Sequence, residues 1–262
     1  MQFYTIPPNS NLELIRLGQR AFCLTQLYVK DKNYRNYFKQ LKEQGWWITM
    51  DSGIGDHNPV TQDVLFEAMK DLRPSEVIPV DTLFNREETL SNLEDFIQRL
   101  IKEDLLDQVE IFACPQGKTK NEWLDCYTQL LANHHVKTIG LSKLAIPHAF
   151  LGNASNDQGI MEARHECVEH LINNNLIQKP LHMLGMGSPL EMIKYRDLNN
   201  PLFRSSDSCN SIWSAMNGLD WTKEQFERIR TPHDYFDRIM TDEQITLAVK
   251  NIQWYKELLS GE

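Results

Sequence analysis

Short apolar runs alternate with longer amphipathic segments along most of the chain. Each run is too short for a helix, and most carry β-branched or aromatic residues, as buried parallel strands do. The runs cover residues 21–29, 46–50, 77–80, 109–113, 136–141, 181–184 and, more weakly, 202–203, with a possible eighth at 12–17. This alternation predicts a parallel sheet joined by right-handed helical crossovers.

The segments between the runs repeat apolar residues at helical spacing, which predicts helices that turn one face to the core. Such stripes occupy residues 34–41, 64–72, 90–101 and 123–131, and the same spacing predicts a C-terminal helix over about 242–259. We therefore expect a single (β/α)8 TIM-type barrel domain over residues 1–262. An open doubly wound sheet is the less favoured alternative, because no GxGxxG follows the first strand.

The amino-acid composition is that of an ordinary globular protein rather than a membrane or disulfide-rich one. Of the 262 residues 41% are hydrophobic and 24% charged, as in ordinary globular proteins. No stretch approaches the roughly 18 apolar residues of a membrane helix, and the N-terminus lacks a signal-peptide pattern, so we expect cytoplasmic residence without membrane contact. Five scattered cysteines lack CxxC spacing, and we predict neither a metal site nor a cofactor.

Polar residues and glycines follow the predicted strands. In a barrel the catalytic groups lie at the carboxyl ends of the strands. The residues placed there are Asp51-Ser52-Gly53, Asp81-Thr82, Gln116-Gly117, Gly140-Leu141-Ser142, Leu184-Gly185-Met186-Gly187-Ser188-Pro189 and Ser205-Ser206-Asp207-Ser208. Three carboxylates and a carboxamide are thus expected to converge on one rim.

The order and spacing of these motifs resemble the tRNA-guanine transglycosylase superfamily, and in particular its compact phage and bacterial members that insert 7-deazaguanines into DNA. The DSG, QG and GLS turns, the Asp81 strand end and the glycine turn at 184–189 each have a counterpart in that family. The similarity extends over residues 46–218. The sequence departs from the family pattern at Ile54 and Gly55, where the family has glycine and an aromatic residue that stacks on the base. It also departs at Lys118, where the family has a second glycine.

The family's zinc subdomain after the barrel is absent from the sequence, which favours DNA over tRNA as the polymer. The resemblance implies replacement of guanine in a nucleic acid by a 7-deazaguanine base. Asp207 would be the nucleophile that forms a covalent glycosyl intermediate, and Asp51 the general acid and base. The substrate-binding residues would be Asp81, Gln116, Gly117, Gly140, Leu141, Leu184 and Gly185.

Each carboxylate also has a structural alternative. Asp207 stands among capping residues and can start the following helix, Asp51 belongs to a DSG sequence typical of turns, and Asp81 can cap the helix that begins near Arg86. The net charge of −9 also argues against a basic nucleic-acid-binding surface. Two other functions therefore stay open: a non-catalytic barrel subunit that binds a base or a partner protein, and an unrelated small-molecule lyase or hydrolase.

Overall fold

The computed structural model describes residues 1–54, 59–152, 157–226 and 229–260. Within these ranges eight strands form one sheet, in the order β1-β8-β7-β6-β5-β4-β3-β2. The strands are β1 Gln2–Thr5, β2 Ala21–Leu24, β3 Ile48–Asp51, β4 Glu76–Val77, β5 Glu110–Ala113, β6 Val136–Ser142, β7 Leu181–Leu184 and β8 Phe203–Ser208. This sequential order, with helices between the strands, confirms the predicted (β/α)8 fold class.

Helices follow the strands in turn. They are α1 Thr25–Lys30, α2 Lys32–Glu43, α3 Gln62–Leu72, α4 Arg86–Lys102, α5 Lys120–Ala132, α6 Ala145–Leu151, α7 Asp157–Asn173, α8 Pro189–Asp197, α9 Asn210–Met216 and α10 Asp242–Ser260. Short 3-10 helices cover Asn9–Leu17, Leu106–Gln108, Trp221–Lys223 and Tyr235–Asp237. The predicted C-terminal helix is confirmed by α10.

The eighth strand was predicted in the wrong place. Residues 12–17 belong to a 3-10 helix, and the strand is β1, which pairs in parallel with β8. A four-residue strand such as β1 offers too few positions for a periodicity to be read. The run at 21–29 also changes type, because only Ala21–Leu24 is extended and the rest forms α1.

Most positions of the predicted helical stripes are buried, three are half-buried (Leu90, Leu124 and Leu131) and two are exposed. The stripe of α2 (Tyr34, Tyr37, Phe38 and Leu41) is buried throughout. Val64 of α3 and Ile101 of α4 were predicted to face the core but are 37% and 47% exposed. Side chains at the helix starts accept backbone N–H groups, as Asp31, Asn85 and Thr119 do for α2, α4 and α5.

Strand boundaries near the candidate residues differ from the prediction. The strand β4 ends at Val77, four residues before Asp81. Conversely, Gly140 and Leu141 lie inside β6 rather than in a turn, and Asp207 lies inside β8 rather than after the strand. The polar sequence of β8 hid its length, since Ser205 to Ser208 read as a helix start.

The chain divides into two compact units. The terminal unit comprises Met1–Phe22 and Met183–Glu262, and the central unit comprises Cys23–His182. The prediction of one domain over 1–262 stays a prediction. In the described part of the chain, no helix has the length and apolar character needed to cross a membrane.

The central unit buries a carboxylate among its strands. Glu76 of β4 is fully buried, and its two oxygens accept hydrogen bonds from the hydroxyls of Thr49 and Thr138, each at 2.8 Å. A buried carboxylate is tolerated only when it is hydrogen-bonded. Thr49 of β3 and Thr138 of β6 therefore supply the hydrogen bonds that this carboxylate needs within the strand layer of the central unit.

Candidate functional site

Asp81 and Gln116 form a buried pair in the central unit. They are 7% and 1% exposed, and the Gln116 carboxamide nitrogen donates to Asp81 Oδ2. The other end of the same carboxamide, Oε1, accepts the Phe84 N–H at 3.1 Å. Because a backbone N–H can only donate, it fixes which end of the Gln116 side chain faces the carboxylate. The sequence predicted both residues for the site but not their contact, which joins positions 35 apart.

Burial controls the ionisation of Asp81. Removal from water raises the pKa of the carboxyl from its ordinary value of 3.8 to about 6, and hydrogen bonds from Gln116 and from the main chain lower it in part. At neutral pH the group is still mainly ionised, and it can accept hydrogen bonds from a ligand. A carboxylate has about four lone-pair positions, so capacity remains beside the bond from Gln116.

Asp81 does not cap the helix that follows it. The N-cap of α4 is Asn85, whose side chain accepts the Glu88 N–H at 3.2 Å. The capping alternative for Asp81 is therefore wrong. A buried, hydrogen-bonded carboxylate in the loop after a barrel strand, with a pKa raised by desolvation, is instead typical of a functional group.

Phe84 has a strained backbone beside this pair. Its φ angle is 63°, a value that costs a bulky side chain on the order of 1–3 kcal/mol. The ring stacks on the imidazole of His148, with 3.9 Å between ring centroids and 26° between the planes. Neither residue was predicted for the site. No sequence pattern pointed to them, because the φ angle and the stacking arise only from the fold.

Asp51 closes the DSG turn of the central unit. Its Oδ2 accepts the Gly53 N–H at 3.0 Å, and its backbone carbonyl accepts the Thr25 hydroxyl at 2.6 Å. Gly53 has a φ angle of 80°, and a Cβ there would lie 2.5 Å from Gln26 Oε1. The turn role expected of this sequence is confirmed. It leaves the carboxylate half-buried at the end of β3, and its role as general acid and base stays a prediction. Gly55, the second departure from the family pattern, lies outside the described residues.

Asp207 is held by the glycine turn after β7, within the terminal unit. It is 6% exposed, its Oδ1 accepts the Gly185 N–H at 2.9 Å, and its backbone carbonyl accepts the Met186 N–H at 2.9 Å. The φ angle of Gly185 is 64°, a conformation that glycine adopts without strain. The turn therefore fixes the orientation of the carboxylate that the sequence predicts as nucleophile.

The capping alternative for Asp207 is also wrong. The helix α9 begins at Asn210, and its N-cap position is Cys209, whose side chain makes no capping hydrogen bond. Two further residues order this region: Asn210 Nδ2 donates to the Gly187 carbonyl at 2.6 Å, and the Ser208 hydroxyl donates to the Met186 carbonyl at 2.8 Å. No sequence pattern indicated that Asn210 holds the loop after β7.

The remaining predicted residues have clear structural settings. Gly117 packs on the start of α5, where a Cβ would lie 2.4 Å from the Trp123 backbone nitrogen. Gly140 and Leu141 are buried in β6, and the Leu141 carbonyl accepts from Arg164 at 3.3 Å. Leu184 ends β7 and is half-buried. Close packing alone accounts for glycine at 117, while substrate binding at these positions stays a prediction.

A scan of the chain against protein-family models finds no matching family, and a search of curated proteins likewise finds no match. The central unit brings Asp81 and Gln116 together, and the terminal unit brings Gly185 and Asp207 together. The expected convergence of all three carboxylates stays a prediction.

Proposed function

We propose that the protein is a transglycosylase that exchanges a guanine-type base in a nucleic acid for a 7-deazaguanine, with DNA favoured over tRNA. The observation that carries this proposal is the Asp81–Gln116 pair. It offers a hydrogen-bond acceptor beside a donor, since the carboxamide nitrogen has a second hydrogen. Guanine offers the complementary edge, with donors at N1 and N2 and an acceptor at O6.

The fixed orientation of Gln116 supports this assignment. If the carboxamide could rotate by about 180°, its oxygen would lie next to Asp81. That oxygen is an acceptor and could not bind guanine O6, which is also an acceptor. The Phe84 N–H at Oε1 opposes that rotation. The donor end thus stays next to Asp81, so the pair discriminates between a base with a lactam edge and one with the reverse pattern, such as adenine.

In the proposed reaction Asp207 attacks C1′ of the nucleotide, and the bond from C1′ to N9 of guanine breaks. The electron pair leaves with the base, and a proton from Asp51 neutralises it. The new ester between Asp207 and C1′ retains the energy of the glycosidic bond. The incoming base then loses its N9 proton to Asp51 and attacks C1′, which releases Asp207. The hydrogen bond from the Gly185 N–H to Oδ1 orients the nucleophile.

A base-exchange assay tests this function. Labelled guanine and 7-cyano-7-deazaguanine are each offered with duplex DNA, single-stranded DNA and tRNA, and incorporation is measured. We expect incorporation with the wild type, loss with Asp207→Ala and Asp207→Asn, and full retention with Asp237→Asn, an exposed aspartate of the same unit. A protein–nucleic acid adduct should accumulate without incoming base. Incorporation that survives Asp207→Ala unchanged contradicts the mechanism.

A further inference from the structure

Phe84 occupies a turn position that usually holds glycine or asparagine. The turn runs from Thr82 to Asn85 and is closed by the Asn85 N–H donating to the Thr82 carbonyl at 3.0 Å. Phe84 is its third residue, with a φ angle of 63°. Positive φ at the third position is typical of a type II turn, in which a side chain with a Cβ is disfavoured. A bulky aromatic residue held there indicates that its ring has a task that glycine cannot perform.

One face of the Phe84 ring is already covered. The His148 imidazole lies 3.9 Å away between centroids and nearly parallel to it, which leaves no room for a third ring between them. Phe84 is nevertheless half-buried rather than buried. A second planar ring can therefore stack only on the opposite face of Phe84.

Phe84 is also connected to the Asp81–Gln116 pair by a hydrogen bond. A single carboxamide, that of Gln116, separates the Phe84 N–H from the Asp81 carboxylate. The turn that strains Phe84 is thus the one that aims its N–H at Gln116. The same backbone conformation fixes the hydrogen-bonding edge and the position of the aromatic ring.

We propose that Phe84 is a specificity-determining residue whose ring stacks on the base that Asp81 and Gln116 hold by its lactam edge. This inference rests on the proposed recognition of a guanine-type base. Hydrogen bonds along one edge select the base by its donors and acceptors, and stacking selects planar aromatic rings. Aromatic stacking on a nucleobase is sequence-tolerant by itself, so the two kinds of contact act together.

The test measures guanine binding to the protein alone, by equilibrium dialysis with labelled guanine, in four variants. Phe84→Gly relieves the backbone and removes the ring, Phe84→Leu keeps an apolar side chain without an aromatic face, and Phe84→Tyr keeps the ring. Asp81→Asn removes the carboxylate. We expect about tenfold to hundredfold weaker binding for the glycine and leucine variants, the range found when a stacking residue is lost, and near wild-type binding for tyrosine.

Thermal unfolding separates a ligand-binding ring from a structural one. If the ring only packs on His148, Phe84→Gly lowers the stability and leaves guanine affinity unchanged, which overturns the inference. If it stacks on the base, Phe84→Gly retains the fold, because relief of the turn offsets the lost ring contact, while affinity falls. The leucine variant must then lose affinity as well.

The same data distinguish the two proposals. If guanine binding is weakened by Asp81→Asn but not by the Phe84 variants, the result is compatible with the proposed function and refutes the role of Phe84. If wild-type protein does not bind guanine, or if Asp81→Asn binds it equally well, the proposed base recognition fails and the role of Phe84 fails with it.

Discussion

Replacing Asp81 by asparagine should change the free energy of unfolding more favourably at pH 7 than at pH 4. Burial raises the pKa of this carboxyl from 3.8 to about 6, so the folded state holds a proton more tightly than the unfolded chain. At a pH between these two pKa values, the folded state binds more protons than the unfolded state. The free energy of unfolding contributed by Asp81 therefore falls as pH rises through this window, and it stays low above pH 6.

The size of the effect follows from the two pKa values. Each tenfold change in an acid constant is worth about 1.4 kcal/mol, so the rise from 3.8 to about 6 corresponds to about 3 kcal/mol. Well below pH 3.8 the carboxyl is neutral in both states and contributes nothing to the pH dependence. Asparagine is neutral at every pH and lacks this dependence. Because the unfolded carboxyl is already partly ionised at pH 4, the stability difference between variant and wild type should grow by about 2–3 kcal/mol from pH 4 to pH 7.

Urea unfolding at several pH values from 4 to 7.5 measures this difference. Changes in hydrogen bonding to Gln116 add an offset that is independent of pH, so the slope with pH is the decisive quantity. Asp95→Asn, at an exposed position of α4, controls for the loss of one negative charge. A difference between Asp81→Asn and wild type that stays flat across the range would refute the reasoning, since no desolvated carboxylate would then be present.

Three further changes have expected outcomes. Gly117→Ala should destabilise the protein by about 1–3 kcal/mol in urea unfolding, because its Cβ would meet the Trp123 backbone nitrogen at 2.4 Å. Thr138→Val should cost about 1.5–3 kcal/mol, since Glu76 loses a hydrogen bond to a buried charge. Asn210→Ala should lower the base-exchange rate on the order of tenfold to hundredfold while guanine affinity is retained, because the loop after β7 loses an anchor at the Gly187 carbonyl.

Matched substitutions control these predictions. Gly45→Ala meets no neighbouring atom within 4 Å and has only its φ angle of 80° to strain it, so it should cost less than Gly117→Ala. Thr128→Val on the exposed face of α5 should change stability by less than about 0.5 kcal/mol. Equal costs within either pair would contradict the packing or hydrogen-bond argument. Loss of guanine affinity in Asn210→Ala would show a general disruption of the site rather than of the nucleophile loop.

The sequence by itself determined the fold class and most of the elements. Apolar runs of strand length between helical stripes, such as the one from Tyr34 to Leu41, predict a parallel sheet with helices, because side-chain burial imposes different periods on strands and helices. The same pattern brought Asp51, Asp81 and Gln116 to the ends of strands as candidates for the site.

Only the tertiary structure decided which of these residues meet and in what state. The contact between Asp81 and Gln116 joins distant positions, and the raised pKa follows from burial that no local pattern encodes. The φ angle of Phe84 opposes its own local preference and is stabilised by Gln116 and His148 from other elements. Local propensity is a property of neighbours in sequence, whereas desolvation, strain and side-chain pairing depend on neighbours in space, and these are fixed only when the chain has folded.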